Sequence, residues 1–178
     1  MIFIAGGTGF IGKHLLSALK RKGRKVKCLV RTPEKARICG EGFEAAIGDI
    51  TDRESLRGKL EGAETVVHLV GIIMEKGPVT FERVHVEGTR NLVEEAKAAG
   101  VKHFFYQSAL GADINSWAKY LKTKAEAEEI VRESGIPFTI FRPSLVVGDE
   151  DGFTKTLRTV ISSPSPFIPV PGKGKAKL

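Results

Sequence analysis

Short apolar runs alternate with longer stretches of helical period along this chain, and this alternation constrains the fold more than any other feature. Two apolar runs joined by a helical stretch have the form of a β-α-β unit with parallel strands. The runs predict six strands, over Ile2–Ala5, Val26–Val30, Phe43–Ile47, Thr65–Val70, His103–Gln107 and Phe138–Arg142. The predicted helices cover Phe10–Arg21, a short segment from the capping residue Asp52 to Leu60, Thr80–Ala99 and Ser116–Glu133. The sequence therefore predicts an α/β fold with a doubly wound parallel sheet and helices on both faces.

The polarity of each strand predicts its place in the sheet. A parallel strand that is covered on both faces is nearly continuously apolar, and the first, fourth and sixth strands have this character. We therefore expect these three strands in the middle of the sheet. With 178 residues, 42% of them hydrophobic, the chain has the size of one globular domain. We predict a core over residues 1–163 and a segment rich in proline, glycine and lysine over residues 164–178.

Composition and charge favour a protein of the reducing cytoplasm. The two cysteines, Cys28 and Cys39, form no CxxC pair and lie near no histidine cluster, so neither a disulfide framework nor a metal site is expected. The apolar start Met1–Ala5 is too short to span a membrane and lacks the features of a signal peptide. The formal charge of +7 is scattered without interleaved aromatic residues, which favours a solvated surface over a nucleic-acid interface.

Three glycines spaced three residues apart, Gly6, Gly9 and Gly12, stand where the first predicted strand passes into the first predicted helix. A pyrophosphate needs a tight turn, close backbone N–H donors and a helix N-terminus, and glycine removes the Cβ atoms that would obstruct all three. The spacing is one residue longer than the GxGxxG form, but the strand before it and the amphipathic helix after it supply the required context. The alternative is a purely structural glycine turn. We predict a dinucleotide-binding turn that comprises Gly6, Thr8, Gly9, Phe10, Ile11 and Gly12.

The residue after the second predicted strand indicates which dinucleotide to expect. An acid at this position would bind the ribose 2′-hydroxyl, but this chain has Arg31 there, with Lys35 close behind it. A guanidinium suits a 2′-phosphate, so NADP(H) is favoured over NAD(H), which stays possible. The alternative is that Arg31 is a solvated residue at the end of a strand.

Asp49 follows the third predicted strand and is the candidate residue for the adenine edge. Its carboxylate could accept a hydrogen bond from the exocyclic amine. The competing interpretation is a turn residue, and Asp52 is expected to cap the next helix in either case.

Tyr120 and Lys124 are four residues apart on a predicted helix and therefore share one face. A tyrosine acts as an acid or a base near neutral pH only if an adjacent cation lowers its pKa, and Lys124 could do so. Ser108, at the end of the fifth predicted strand, is expected to face the same crevice and to hydrogen-bond a substrate oxygen. Alone, the pair is weak evidence, since Lys124 could instead pair with Glu128 on the next turn.

These motifs together resemble the short-chain dehydrogenase/reductase superfamily, with its Rossmann fold. The similarity is to the extended and atypical members that include NAD-dependent epimerases/dehydratases and proteins like the 39-kDa accessory subunit of respiratory complex I. It spans most of the chain in the family's order. The segments that carry it are Gly6–Gly12, Val30–Arg31, Gly48–Ile50, His68–Gly71, Val86–Leu92, Ser108–Ala112, Tyr120–Lys124 and Phe141–Ser144.

The resemblance implies roles for particular residues. Tyr120 would be the acid/base, and Lys124 would lower its pKa and contact the cofactor's ribose. Ile50 would join Asp49 among the cofactor-binding residues. Backbone atoms of the following residues would also approach the cofactor: Leu69, Val70, Gly71 and Pro143.

Two departures from the family pattern affect these implications. Many members carry asparagine at the position of His85, where it supports a proton relay. Here His85 either replaces that asparagine or, as the favoured interpretation, packs its helix. Members of this kind also continue into a C-terminal region that covers the substrate, and this chain is expected to stop before it.

The leading hypothesis is an NADP(H)-dependent oxidoreductase or epimerase-like enzyme that acts on a carbonyl or hydroxyl group of a small molecule. The alternative is a non-catalytic dinucleotide-binding subunit or redox sensor of a larger complex, similar to the complex I subunit. The expected partners are a small-molecule substrate and either a second copy of the chain or a protein of a respiratory-type complex. No nucleic acid and no transmembrane segment are expected.

Overall fold

The computed structural model describes residues 1–40, 42–148 and 151–162, which belong to two compact units, residues 1–144 and 145–178. The predicted segment 164–178 lies outside the described residues. The strands of the first unit are β1 (Ile2–Ala5), β2 (Val26–Val30), β3 (Glu44–Ile47), β4 (Thr65–His68), β5 (His103–Gln107) and β6 (Phe138–Phe141). Its helices are α1 (Phe10–Arg21), α2 (Pro33–Ala36), a 3₁₀ turn (Arg37–Cys39), α3 (Arg53–Leu56), a π-helical turn (Glu82–Glu87), α4 (Gly88–Ala98) and α5 (Lys119–Arg132).

The six strands form one sheet in the order β3-β2-β1-β4-β5-β6, and every neighbouring pair is parallel. This is the order of a doubly wound dinucleotide-binding sheet. Because the chain runs from β1 to β2 on one side and later places β4 on the other side of β1, the strand order reverses between β1 and β4. The predicted Rossmann-type fold is confirmed.

Helices cover both faces of the sheet because alternate residues of each strand point to opposite sides. On one face, Phe3 and Phe104 are fully buried in a cluster with Leu92 of α4 and Val131 of α5. On the other face, Ile4 packs in a second cluster that contains residues of α1 and of the 3₁₀ turn. The two clusters hold the carboxyl ends of β1, β2 and β4 side by side.

Several element boundaries differ from the prediction. β4 ends at His68 instead of Val70, because the Leu69 N–H donates the last ladder bond to Ala5 O (2.8 Å) and the chain then leaves the sheet. The helix predicted from Asp52 to Leu60 ends at Leu56, and Gly58 follows with a φ of +69°. The helix predicted over residues 80–99 begins with the π-helical turn before α4 continues it.

The expected position of the sixth strand is wrong. β1 and β4 are central, but β6 lies at the edge of the sheet that the described residues form. Phe138, Thr139 and Phe141 are exposed, and Ile140 is partly buried. A short apolar run therefore does not distinguish an edge strand from a central one.

The second unit contains α6 (Gly152–Ile161), which Asp151 caps. The Thr154 N–H donates to Asp151 Oδ1 (2.7 Å), and the Gly148 N–H donates to the other carboxylate oxygen (3.2 Å). Such a cap satisfies backbone donors that a helix leaves unpaired at its start. Across residues 1–40, 42–148 and 151–162, no helix combines the length and the apolar character that a membrane crossing requires.

Candidate functional site

The glycine segment forms the junction between β1 and α1, as the sequence predicts. Gly6 turns the chain with a φ of +92°, and the Gly9 N–H donates to Gly6 O (3.1 Å). Gly9 occupies the N-cap of α1, and no side chain caps the helix there. The N–H groups of the first helical turn are therefore available to an anion, which the helix dipole attracts.

Packing as well as ligand access requires glycine in this turn. A Cβ on Gly12 would collide with Gly6 O and with the backbone of Gly7. A Cβ on Gly6 would lie 3.0 Å from backbone atoms of Leu69 and Val70, where β4 ends. On Gly7 a Cβ would collide with Cys28 Sγ of β2. The glycines thus let α1, the turn, the middle of β2 and the end of β4 approach closely.

A crevice of about 430 Å³ opens at the carboxyl ends of β1, β2 and β4, where the strand order reverses. Open α/β sheets bind their ligands at such a reversal. The structure brings these predicted residues together in its lining: Gly6, Thr8, Gly9, Arg31, Lys35, Asp49, Ile50, Leu69, Val70 and Gly71. These predicted residues lie outside the lining: Phe10, Ile11, Gly12, Ser108, Tyr120, Lys124 and Pro143.

One wall of the crevice was not predicted from the sequence. It includes Pro78, Val79 and Arg83, which precede or begin the π-helical turn. A bridge between Lys76 and Val79 folds this segment into a tight hairpin. In residues 76–79 only Gly77 and Pro78 favour a turn. Their sequence does not indicate that this turn lies against the crevice. Arg83 adds a third cationic side chain to Arg31 and Lys35 in the lining.

Asp49 both shapes a turn and lines the crevice. Its Oδ1 accepts hydrogen bonds from the Thr51 N–H and the Thr51 hydroxyl, each at 2.9 Å. The predicted cap is also present, since the Ser55 N–H donates to Asp52 Oδ1 (3.4 Å) at the start of α3. The turn interpretation of Asp49 therefore holds, and a contact with adenine stays a prediction.

α4 is anchored directly beside the crevice. The Asn91 amide donates to Ile50 O (2.8 Å), and a Cβ on Gly88 would lie 2.6 Å from Ile50 Cδ1. Thr89 Oγ1 pairs with the buried His68 Nε2 (3.0 Å) at the end of β4. These contacts give a packing reason for residues 86–92, whose sequence alone shows only a family signature.

Lys124 extends from α5 into the protein, and its residue is only 3% exposed. Its Nζ donates to Gln107 O (2.7 Å) at the end of β5 and lies 4.3 Å from the centre of the Tyr106 ring. Burial lowers the pKa of this amine to about 7, and the charge of Glu128 opposes that effect. The ammonium therefore carries a proton that it can release near neutral pH.

Tyr120 is half-buried one turn before Lys124. Its ring contacts Phe81 and His85 edge-on, with centroids 5.7 and 5.5 Å apart. Burial raises the pKa of Tyr120 above its usual value. In this structure, therefore, the lowering of the tyrosine pKa by Lys124 is not the effect that dominates.

His85 is buried in the π-helical turn and forms hydrogen bonds through both ring nitrogens. Its Nδ1 pairs with Thr123 Oγ1 (3.0 Å), and its Nε2 accepts from the Ile72 N–H (3.1 Å). Burial, reinforced by the charge of Lys124, lowers its pKa to about 4, so the imidazole is neutral at pH 7. A Cβ placed on Gly71, which lines the crevice, would lie 3.6 Å from this Nε2 and 4.0 Å from Lys124 Nζ. Both nitrogens thus approach the crevice at Gly71.

The last two predicted site residues, Ser108 and Pro143, lie just after β5 and β6, and their backbone groups form hydrogen bonds between these two segments. Ser108 is buried, and its N–H donates to Phe141 O (2.7 Å). Pro143 O accepts from the Leu110 N–H (2.8 Å). Both therefore have backbone roles at the sheet edge beside α5, and their predicted contacts with substrate and cofactor stay predictions. Among the described residues, no cluster of acids, histidines and cysteines is suited to hold a metal ion.

Comparison with known proteins identifies relatives over nearly the whole chain. It is 33% identical over 172 residues to ceramide reductase of Caulobacter vibrioides, covering 96% of this chain and 53% of that protein. It is 32% identical over 156 residues to NADH dehydrogenase (ubiquinone) 1 alpha subcomplex subunit 9 of Rattus norvegicus, covering 84% of this chain and 41% of that protein. The chain thus spans about half the length of the curated relatives that it matches.

A solved structure extends the comparison to the fold. An NADPH-dependent quinone oxidoreductase from Escherichia coli, complexed with NADPH, matches with a TM-score of 0.70 and 27% identity, covering 90% of this chain and 54% of that one. Residues 6–166 also match the family model described as NAD(P)H-binding. The chain belongs to this NAD(P)H-binding family, as its resemblance to the short-chain dehydrogenase/reductase superfamily predicts.

Proposed function

We propose that this chain is the NADP(H)-binding part of an oxidoreductase or epimerase-like enzyme that acts on a carbonyl or hydroxyl group. The observation that carries the proposal is the crevice, which has an uncapped helix N-terminus on one side and Arg31 with Lys35 on another. Lys124 approaches the same crevice at Gly71. Phosphate-binding groups and a proton-carrying amine thus meet at one edge of the sheet.

The residues present fit a phosphorylated dinucleotide. The turn Gly6–Gly12, including Phe10 and Ile11, would hold the pyrophosphate through backbone N–H groups. Arg31 and Lys35 would hold a 2′-phosphate, which favours NADP(H) over NAD(H). Asp49 and Ile50 would border the adenine, and residues 69–71 and 143 the rest of the cofactor. When bound, the cofactor supplies or accepts a hydride.

The chain's own residues would manage the proton. Tyr120 would transfer it to or from the substrate oxygen, with Ser108 as a hydrogen-bond partner of that oxygen. Lys124, which Gln107 O holds in place, would contact the ribose and keep positive charge beside Tyr120. His85 would link Ile72, which lines the crevice, to Thr123 of α5 through the hydrogen bonds of its two ring nitrogens.

Turnover tests this assignment. We expect the protein to oxidise NADPH with at least one carbonyl compound of a substrate panel, and we expect Tyr120→Phe and Lys124→Ala to lose that activity. Calorimetry with NADPH shows whether the variants still bind the cofactor. Binding by the wild type without turnover of any panel member would contradict the enzyme assignment.

A second function has its own support. The raised pKa of Tyr120 and the occupied ring nitrogens of His85 favour a non-catalytic dinucleotide-binding subunit or redox sensor. The similarity to a subunit of NADH dehydrogenase agrees with this alternative. Under it, NADPH binding persists in Tyr120→Phe, and no substrate is turned over. A homo-oligomer, a partner in a respiratory-type complex and a cytoplasmic location stay predictions.

A further inference from the structure

Glu128 is a buried carboxylate beside the proposed site. It lies on α5 one turn after Lys124 and two turns after Tyr120, and its residue is 1% exposed. The spacing places all three residues on one face of the helix. A charge in such a place is costly unless its neighbours compensate it, so its partners indicate what it does.

Two arginines compensate Glu128. Arg142, which directly follows β6, donates from Nε to Oε1 (2.7 Å) and from Nη2 to Oε2 (2.6 Å). Arg132 adds a bond from Nη2 to Oε2 (3.1 Å). Burial raises the pKa of Glu128, but hydrogen bonds, first that of Arg142, outweigh this effect and bring the pKa below its usual value. The carboxylate is therefore ionised, and its bidentate pair with Arg142 fastens α5 to the end of β6.

Among the described residues, the titratable groups that face Lys124 from β4, β5 and the π-helical turn supply no negative charge. His68 on β4 has a pKa that burial lowers to about 3, and His85 on the π-helical turn has one near 4, so both are neutral at pH 7. Tyr106 on β5 has a pKa that burial raises, so it too is neutral. Among the described groups that act on Lys124, Glu128 is the one that favours its charged form.

We propose that Glu128 is a positioning residue: Arg142 holds its buried carboxylate one helical turn from Lys124, where it stabilises the charged form of that amine and fixes the helix face that carries Tyr120. The importance of this role for catalysis rests on the proposed function. The electrostatic link between Glu128 and Lys124 does not, and it can be measured without a substrate.

The test follows the titration of Lys124 by NMR in protein labelled with ¹³C-lysine, with Lys124→Met to assign the signal. In Glu128→Gln we expect the acid dissociation constant of the Lys124 ammonium to rise roughly tenfold, because the stabilising charge is gone while both arginines stay. Glu129→Gln is the matched control. Glu129 is the exposed neighbour that pairs with Arg132 Nε (3.3 Å), and its loss should leave the titration unchanged.

Each outcome decides the proposal. An unchanged titration in folded Glu128→Gln overturns it, and so does an equal change in Glu129→Gln. The double variant Glu128→Gln/Arg142→Met removes both charges and should change the titration in the same direction by a smaller factor. If circular dichroism shows both Glu128 variants unfolded while Glu129→Gln folds, the role is only structural and the proposal is wrong. A wild type that does not bind NADPH would refute the proposed function, and the Lys124 titration would still be measurable.

Discussion

The protonation of Lys124 gives a quantitative prediction for the pH dependence of stability. Burial lowers its pKa from the ordinary 10.5 to about 7 in the folded protein. Between these values the unfolded chain binds more protons than the folded one, so the free energy of unfolding rises with pH. Burial of the charged Lys124 amine destabilises the folded protein; this effect is fully present below pH 7 and decreases as the pH rises toward 10.5. From pH 7 to pH 8.5, one such group contributes about 1.5 kcal/mol.

This pH window isolates Lys124 from other shifted groups. The pKa of His85 is lowered, so it affects stability only below its ordinary value of 6.5. Burial raises the pKa values of Cys28 and Tyr120, which lowers stability only as the pH approaches their ordinary values of 9.0 and 10.0. Urea unfolding should be followed by circular dichroism, since Trp117 is 97% exposed and its fluorescence reports little on the core.

Lys124→Met is the matched variant, because it keeps the length of the side chain and removes the titrating amine. We expect its free energy of unfolding to be nearly constant from pH 7 to 8.5, while that of the wild type rises by about 1.5 kcal/mol. Loss of the bond to Gln107 O changes the absolute stability of the variant but not this slope. Equal slopes in the two proteins would refute the reasoning.

Two further predictions concern the cofactor. Arg31→Ala should weaken NADPH binding at least tenfold in calorimetry and leave NADH binding nearly unchanged, because only NADPH carries the 2′-phosphate. Arg24→Ala is the control, since Arg24 lies outside the crevice lining. Equal losses of affinity for both nucleotides in Arg31→Ala would contradict the assignment. Gly12→Ala should abolish binding of both nucleotides and destabilise the fold by about 1–3 kcal/mol, because its Cβ meets the Gly6 backbone. Gly152→Ala, whose Cβ meets no atom within 4 Å, should change neither, and a Gly12→Ala protein that binds NADPH normally would contradict the packing argument.

The sequence predicts the fold and the glycine turn between β1 and α1 because both depend on local patterns. A strand, a glycine turn and an amphipathic helix follow one another within 21 residues, and the structure places them as expected. Arg31 is found in the crevice for the same reason, since it directly follows β2. Such features need no knowledge of distant contacts.

The features that the sequence did not predict depend on contacts between distant segments. β6 resembles a central strand because its residues are apolar, but nothing in its own residues says which strands lie beside it. The wall formed by Pro78, Val79 and Arg83 is set by a hairpin and a π-helical turn with no clear signature. The sequence predicts an interaction of Lys124 with Tyr120 or Glu128 on its own helix, but not its hydrogen bond to Gln107 O on β5.

The contact between Gly7 and Cys28 makes a buried thiol a reporter on the proposed cofactor site. The Cys28 sulfur is fully buried and fills the volume that a methyl group on Gly7 would need, so an alkylating reagent cannot add to it while the Gly6–Gly12 turn is in place. In a Cys39→Ala variant, which leaves Cys28 as the single thiol, the rate of modification in the native protein therefore measures how often this corner of the molecule opens. A nucleotide that bridges the turn and the end of β2 should slow that reaction in proportion to its occupancy.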